Sequence, residues 1–229
     1  MLTVLAGGIG AAKFLDGLAG VVPPESITVI ANTGDGERFH GLHVSPDIDT
    51  VIYTLADVTG ELCAALGVGC RILPMTNDPA ATRVRTPQGV LPFQEYFVKL
   101  GQRPEVLEVD LTEASASSPA PGVLEAIAQS DAIILAPSNP FISIGPILAV
   151  RGIRDALRET RARAVAISPI VGGKALKGPA DRMLKSLGFE SSAVAVAELY
   201  REFVDLFVVD LKDAVLREEI EGKDRKSVV

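Results

Sequence analysis

Leu2-Thr3-Val4-Leu5-Ala6, followed at once by Gly7-Gly8-Ile9-Gly10 and then by the helical spacing of Ala11–Leu18, is the stretch that decides the fold. An apolar run without polar alternation reads as a strand buried on both faces. Glycines between such a strand and a helix let backbone N–H groups approach a phosphate at the helix N-terminus. The unit recurs along the chain. Ile27–Ala31, Arg71–Leu73, Val106–Val109, Ala132–Ala136, Ala164–Ser168 and Leu206–Val209 read as further buried strands. Between them, Asp47–Ala56, Glu61–Leu66, Pro121–Gln129, Ile144–Glu159, Ala180–Leu187 and Ala195–Phe203 carry the apolar period of helices. This alternation predicts an α/β fold: a doubly wound, mostly parallel, Rossmann-like sheet in a single domain spanning 1–229. Thr82–Val98 interrupts it. Residues there alternate around Thr86-Pro87-Gln88-Gly89, with Pro and Gly where a turn wants them, which predicts an inserted β-hairpin.

Composition narrows the function. Hydrophobic residues make up 48% of 229, tryptophan is absent and aromatics are 5%, so the core is aliphatic. A net charge of −7 argues against nucleic acid as a partner. Cys63 and Cys70 fit neither a zinc spacing nor a disulfide framework and read as inert thiols. His40 and His43 match no metal spacing and read as surface or supporting residues. No G-x-S-x-G elbow supports a Ser-His-Asp triad. No basic leader precedes the first strand and no run approaches the ~20 apolar residues of a membrane span, so a cytoplasmic protein with no membrane partner is expected.

Ligands of open α/β sheets bind beyond the carboxyl ends of the strands. Five polar or glycine-rich segments fall there: Gly7–Gly10, Asn32–Asp35, Thr76–Asp78, Ser138–Ser143 and Ser168–Lys177. Gly8 and Gly10 suit a phosphate. Lys13 stands where a dinucleotide fingerprint has its third glycine, and Asn32 where it has a ribose-binding acid, so the loop fails as an NAD signature. Asn32, Thr33 and Asp35 form either a ligand or metal site or a polar turn. Ser45-Pro46-Asp47-Ile48-Asp49 is how a helix begins, with both acids favoured by its dipole. The same two acids suit Mg²⁺, which takes one or two carboxylates plus phosphate oxygens. Thr76 and Asp78 offer acceptors in a turn. Ser138, Asn139 and Ser143 suit an anion or nucleobase, or are ordinary turn chemistry. Gly172, Gly173 and Lys174 suit a diphosphate, or form a solvated loop.

In order along the chain, several long segments resemble the 2-phospho-L-lactate transferase family. They are Gly7-Gly8-Ile9-Gly10-Ala11-Ala12-Lys13, Asn32-Thr33-Gly34-Asp35, His40-Gly41-Leu42-His43, Ser45-Pro46-Asp47-Ile48-Asp49-Thr50-Val51 and Pro74-Met75-Thr76-Asn77-Asp78-Pro79. Pro92-Phe93-Gln94-Glu95-Tyr96-Phe97-Val98, Pro137-Ser138-Asn139-Pro140-Phe141-Ile142-Ser143-Ile144-Gly145-Pro146 and Ser168-Pro169-Ile170-Val171-Gly172-Gly173 continue the likeness to about Ala214. The resemblance implies an enzyme of coenzyme F-420 biosynthesis. It would move a phospholactyl or related phospho-three-carbon-acid group from a guanosine diphosphate ester to the ribityl hydroxyl of a deazaflavin, releasing GMP. It implies Mg²⁺ on Asp47 or Asp49, catalytic roles for Asp35 and Asp49, and a donor held by Gly8, Gly10, Ser138, Asn139, Gly173 and Lys174. Lys13, Asn32, Thr33, Thr76, Asp78, Ser143 and Gly172 complete the expected substrate-binding set, in a homodimer.

This chain departs from the family pattern in places. Gly36 follows Asp35 where the family often has a second acid, and Asn77 replaces another. Relatives carry a largely helical stretch between the segments matching Thr54–Asp57 and Val58–Glu61, so a helical insert is missing between residues 57 and 58. Ser227-Val228-Val229 looks like the start of another strand, as in a truncated C-terminus. The Gly-rich start also resembles a sister group of similar fold, which implies as the alternative a sugar-nucleotide-binding regulatory protein without transferase activity, though Asn32–Asp35 departs from that group's second segment. An NAD oxidoreductase is disfavoured by Lys13 and Asn32.

Overall fold

Alternate residues of the first strand enter different apolar clusters, which is what makes the sheet two-sided. Val4 and Ala6 pack with Ile27 and Val29 on one face; Leu5 packs with Ile30, Ile133 and Leu135 on the other. Burying a leucine or isoleucine in this way contributes about 1.5–3 kcal/mol each, and the absence of polar alternation in these strands is its signature. The computed structural model describes residues 1–39, 42–56, 69–222 and 226–228. His40, Cys63, the junction of Asp57 and Val58, and the expected helix Glu61–Leu66 lie outside the described residues.

Among the described residues seven strands form one all-parallel sheet: β1 (Leu2–Ala6), β2 (Ile27–Ala31), β3 (Arg71–Pro74), β4 (Ala132–Leu135), β5 (Arg163–Ile167), β6 (Leu206–Val208) and β7 (Lys226–Val228). Their order is β7-β6-β5-β4-β1-β2-β3. The chain winds from β1 out to β3, returns beside β1 as β4, and winds the other way. That is the doubly wound arrangement, and it places the switch point between β1 and β4. Helix α1 (Gly8–Ala19) leaves β1, and helix α2 (Pro46–Ala56) packs against it.

Two expectations are corrected. Val106–Val109 is not a buried strand of the main sheet. Glu108–Asp110 instead pairs antiparallel with Arg83–Thr86, which also pairs with Gly89–Pro92, so the inserted hairpin is the core of a three-stranded sheet. Val106 is buried but Leu107 is 48% exposed, and flanking carboxylates hold this run at the surface. Ile144–Glu159 is two helices, Ile144–Ala149 and Ile153–Glu159. Gly152, at φ 78°, breaks the run in a conformation glycine adopts without steric cost.

Candidate active site at the sheet switch point

The switch point is close-packed because its glycines have no side chains. A Cβ on Gly10 would lie 2.5 Å from the Pro137 carbonyl oxygen, so α1 seats directly on the loop after β4. A Cβ on Gly7 would lie 2.8 Å from both Asp47 Oδ2 and the Ser143 Cβ. The loops after β1 and β4 and the start of α2 therefore meet at one backbone position. The Ser138 hydroxyl donates to the Gly7 carbonyl at 2.6 Å and ties the first two together.

Asn32, fully buried at the end of β2, organises the acids. Its Oδ1 accepts from Gly34 N at 2.8 Å, which fixes the amide so that Nδ2 donates to Asp47 Oδ2 at 2.8 Å and to the Ile142 carbonyl at 3.2 Å. The Asp47 carboxylate lies against Gly7 and Gly8, so an acid already stands at the N-terminus of α1. Asp35 does the same for α2, its Oδ2 accepting from Asp47 N at 3.0 Å. The Gln94 amide braces this loop by donating to the Asp35 carbonyl at 2.9 Å.

Asp35 is only 3% exposed. Burial, and then the charge of Asp47, raise its carboxyl far above the usual carboxylate range, to about 9. Burial also raises Asp47, opposed by its hydrogen bonds from Asn32, Asp35 and Gly8. Three buried oxygens here have no hydrogen-bond partner: Asp35 Oδ1, Thr33 Oγ1 and Thr82 Oγ1. Two touching carboxyl groups with an orphaned oxygen suit a divalent cation, which needs no more than one or two protein acids when phosphate supplies the rest. No group of three or more potential ligands occurs among the described residues.

Asp49, half-buried with its carboxyl raised by that burial, lies two residues from Asp47 on α2, so the two side chains leave the helix in different directions. The pair the structure assembles is Asp35 with Asp47. Thr33, Thr76 and Asp78 line one cleft of about 330 Å³ with Ser45 and Ile48, beside that pair. Thr76 Oγ1 donates to the Ser118 carbonyl at 2.5 Å, and Asp78 accepts from Ser118 N at 2.8 Å, so both also pin the 115–121 loop. Asn139 shapes its own turn by accepting from Phe141 N at 2.9 Å. Lys13 is exposed, on the second turn of α1.

Gly172 and Gly173 have φ of 57° and 76° and form the tight turn of a hairpin pairing Val171 with Lys174, a conformation that demands glycine. The Gly172 N–H is taken by the buried Asp213 carboxylate at 3.0 Å, and Ser191 donates to the Gly173 carbonyl at 2.8 Å. Lys174 leaves this turn exposed. Sequence reasoning missed the parts played by Gln94, Thr82 and Asp213. Asp213 reaches Gly172 from 41 residues away, with no local signal.

A doubly wound α/β fold with a carboxylate pair at its switch point defines a class of proteins that place acids and a helix N-terminus before one ligand cleft. Within it, the chain belongs to the 2-phospho-L-lactate transferase CofD family, a transferase family whose model matches residues 2–60 and 55–228. It is 36% identical to the 2-phospho-L-lactate transferase of Methanothermobacter thermautotrophicus, with 96% of this chain and 88% of that one covered. It is 38% identical to the phosphoenolpyruvate transferase of Streptomyces griseus, covering 96% and 89%. Among solved structures it resembles BH3568 of Bacillus halodurans, with TM-score 0.65, 20% identity, and 99% and 87% of the two chains covered. That last likeness is one of fold. Among the described residues no helix is long and apolar enough to cross a membrane.

Proposed function

We propose that the chain transfers a phospholactyl or related phospho-three-carbon-acid group from a guanosine diphosphate ester to the ribityl hydroxyl of a deazaflavin, releasing GMP. Relatives at 36% and 38% identity are named for two such three-carbon acids. The observation that carries the reading is the Asp35–Asp47 pair, with its orphaned oxygen, at the switch point of a transferase-family fold. These two carboxylates would hold Mg²⁺, which when bound offsets the charge of the bridging phosphates. Asn32 keeps Asp47 oriented, and Gly7 and Gly10 let the loops after β1 and β4 pack closely around it. Phosphoryl transfer leaves little covalent work to a protein, so fixed donors and fixed geometry supply most of the rate. The test is chromatography of deazaflavin product and GMP with a guanosine diphosphate ester as donor. Turnover is expected with Mg²⁺ and lost with Asp47→Asn. A folded Asp47→Asn variant with full activity overturns the assignment.

A further inference from the structure

A second cavity, also of about 330 Å³, lies where the turn after Glu95–Lys99 meets the helix Ala180–Ser186. It shares no lining residue with the cleft beside Asp35. Its inner wall is apolar: Tyr96, Val106 and Met183 are buried members of one hydrophobic cluster. Its rim is cationic. Arg103, Arg182 and Lys185 line it against a single acid, Glu105, in a chain whose net charge is −7. Several arginines elsewhere are paired with acids, as in Arg83–Glu113, Arg85–Glu108 and Arg158–Glu202. Here Arg182 donates to a neutral acceptor, Gln102 Oε1, at 3.3 Å, and neither Arg103 nor Lys185 forms an ion pair among the described residues. Three like charges around one hollow repel unless an anion joins them.

Two features mark the hollow as built. Gln102, at φ 58°, is the only non-glycine residue with positive φ among the described residues, a conformation that a residue with a Cβ adopts at a steric cost. It is held there by Tyr96 and Arg182: its N–H donates to the Tyr96 carbonyl at 3.0 Å, and its side chain receives Arg182. Strain of this kind persists where surroundings impose it and gathers at ligand sites. The second feature is Tyr96, only 2% exposed, whose hydroxyl reaches just one acceptor, the Gln102 carbonyl, at 3.5 Å. That is the outer limit of a hydrogen bond, so a buried donor beside Arg182 is left underused.

We propose that this cavity binds a small phosphomonoester, distinct from the reactants at Asp35 and Asp47. Arginine forks and a lysine suit a phosphate dianion, the Tyr96 hydroxyl adds a neutral donor, and Pro104, Val106 and Met183 cover the carbon body of the ligand. The inference stands independently of the reaction assigned to the switch point.

The chain has no tryptophan and three tyrosines, so its near-ultraviolet absorbance reports on Tyr96 with little background. Glycerol 3-phosphate is titrated into the full chain and the tyrosine difference spectrum is followed. A saturable change is expected, absent in Tyr96→Phe, with apparent affinity at least tenfold lower in the double variant Arg103→Gln/Arg182→Gln. Arg161→Gln/Arg163→Gln removes the same charge from exposed positions elsewhere and should leave the affinity unchanged. Unchanged affinity in the cavity variant, or an equal loss in the remote one, overturns the proposal. Should the cavity double variant unfold, Lys185→Gln decides: a severalfold weakening supports the site and none refutes it.

Discussion

Asp35 caps the N-terminus of α2 by accepting from Asp47 N, and burial raises the proton affinity of both carboxyl groups. In the unfolded chain both acids ionise near pH 4. In the fold their affinity for the proton is raised, so above that pH the native state binds more protons than the unfolded state. Stability of the metal-free protein should therefore fall as pH rises above the ordinary carboxylate range. Asp35→Asn should flatten this slope in thermal melts at a series of pH values. A slope identical to the parent's would place the coupling elsewhere. Little of this pairing was legible in the sequence. The acids lie 12 residues apart, one in a loop and one in the first turn of α2; what joins them is the Asp47 backbone N–H donating to Asp35, with Asn32, a residue type as common in plain turns as in sites, orienting Asp47.

At the scale of elements, the strands of the main sheet were legible because burial on both faces leaves an uninterrupted apolar run. Val106–Val109 misled for the same reason: a short apolar run does not say which sheet it joins. The split of Ile144–Glu159 turns on one glycine, and two glycine substitutions should now separate local from tertiary causes. Gly152→Ala forces a left-handed position and should cost about 1–2 kcal/mol. Gly17→Ala, in α1 with open space around it, should instead stabilise by about 0.4–1 kcal/mol. Urea denaturation reads both; equal effects would show that backbone conformation is not what distinguishes them. Gly10→Ala is the severe case. Its Cβ would press on the Pro137 carbonyl, so a loss of about 1–3 kcal/mol is expected, with the switch point forced apart.

For the whole molecule, the sheet is held from both sides by aliphatic clusters that meet through its strands. Leu135, fully buried in the larger cluster, should cost about 2–5 kcal/mol when cut to alanine, measured by denaturant unfolding at constant m-value. The aliphatic core also bears on substrate choice. A planar deazaflavin ring wants an apolar, often aromatic, wall, and this chain has no tryptophan and 5% aromatics. We expect equilibrium dialysis to show weak deazaflavin binding by a chain of this length, with its nucleotide site retained. Tight binding with normal turnover would show that the wall is supplied by residues already present.

The seat of Asp47 on α1 has one more consequence. The end of α1 that would greet a phosphate already faces the protein's own carboxylate, a tethered decoy beside Gly7 and Gly8. An incoming diphosphate has to evict this resident anion or find its charge cancelled first. In chelator-treated buffer, Asp47→Asn should therefore bind GDP more tightly than the parent chain, even while it loses turnover. Calorimetry giving the parent the higher affinity would mean that the decoy and the phosphate never compete for the same end of the helix.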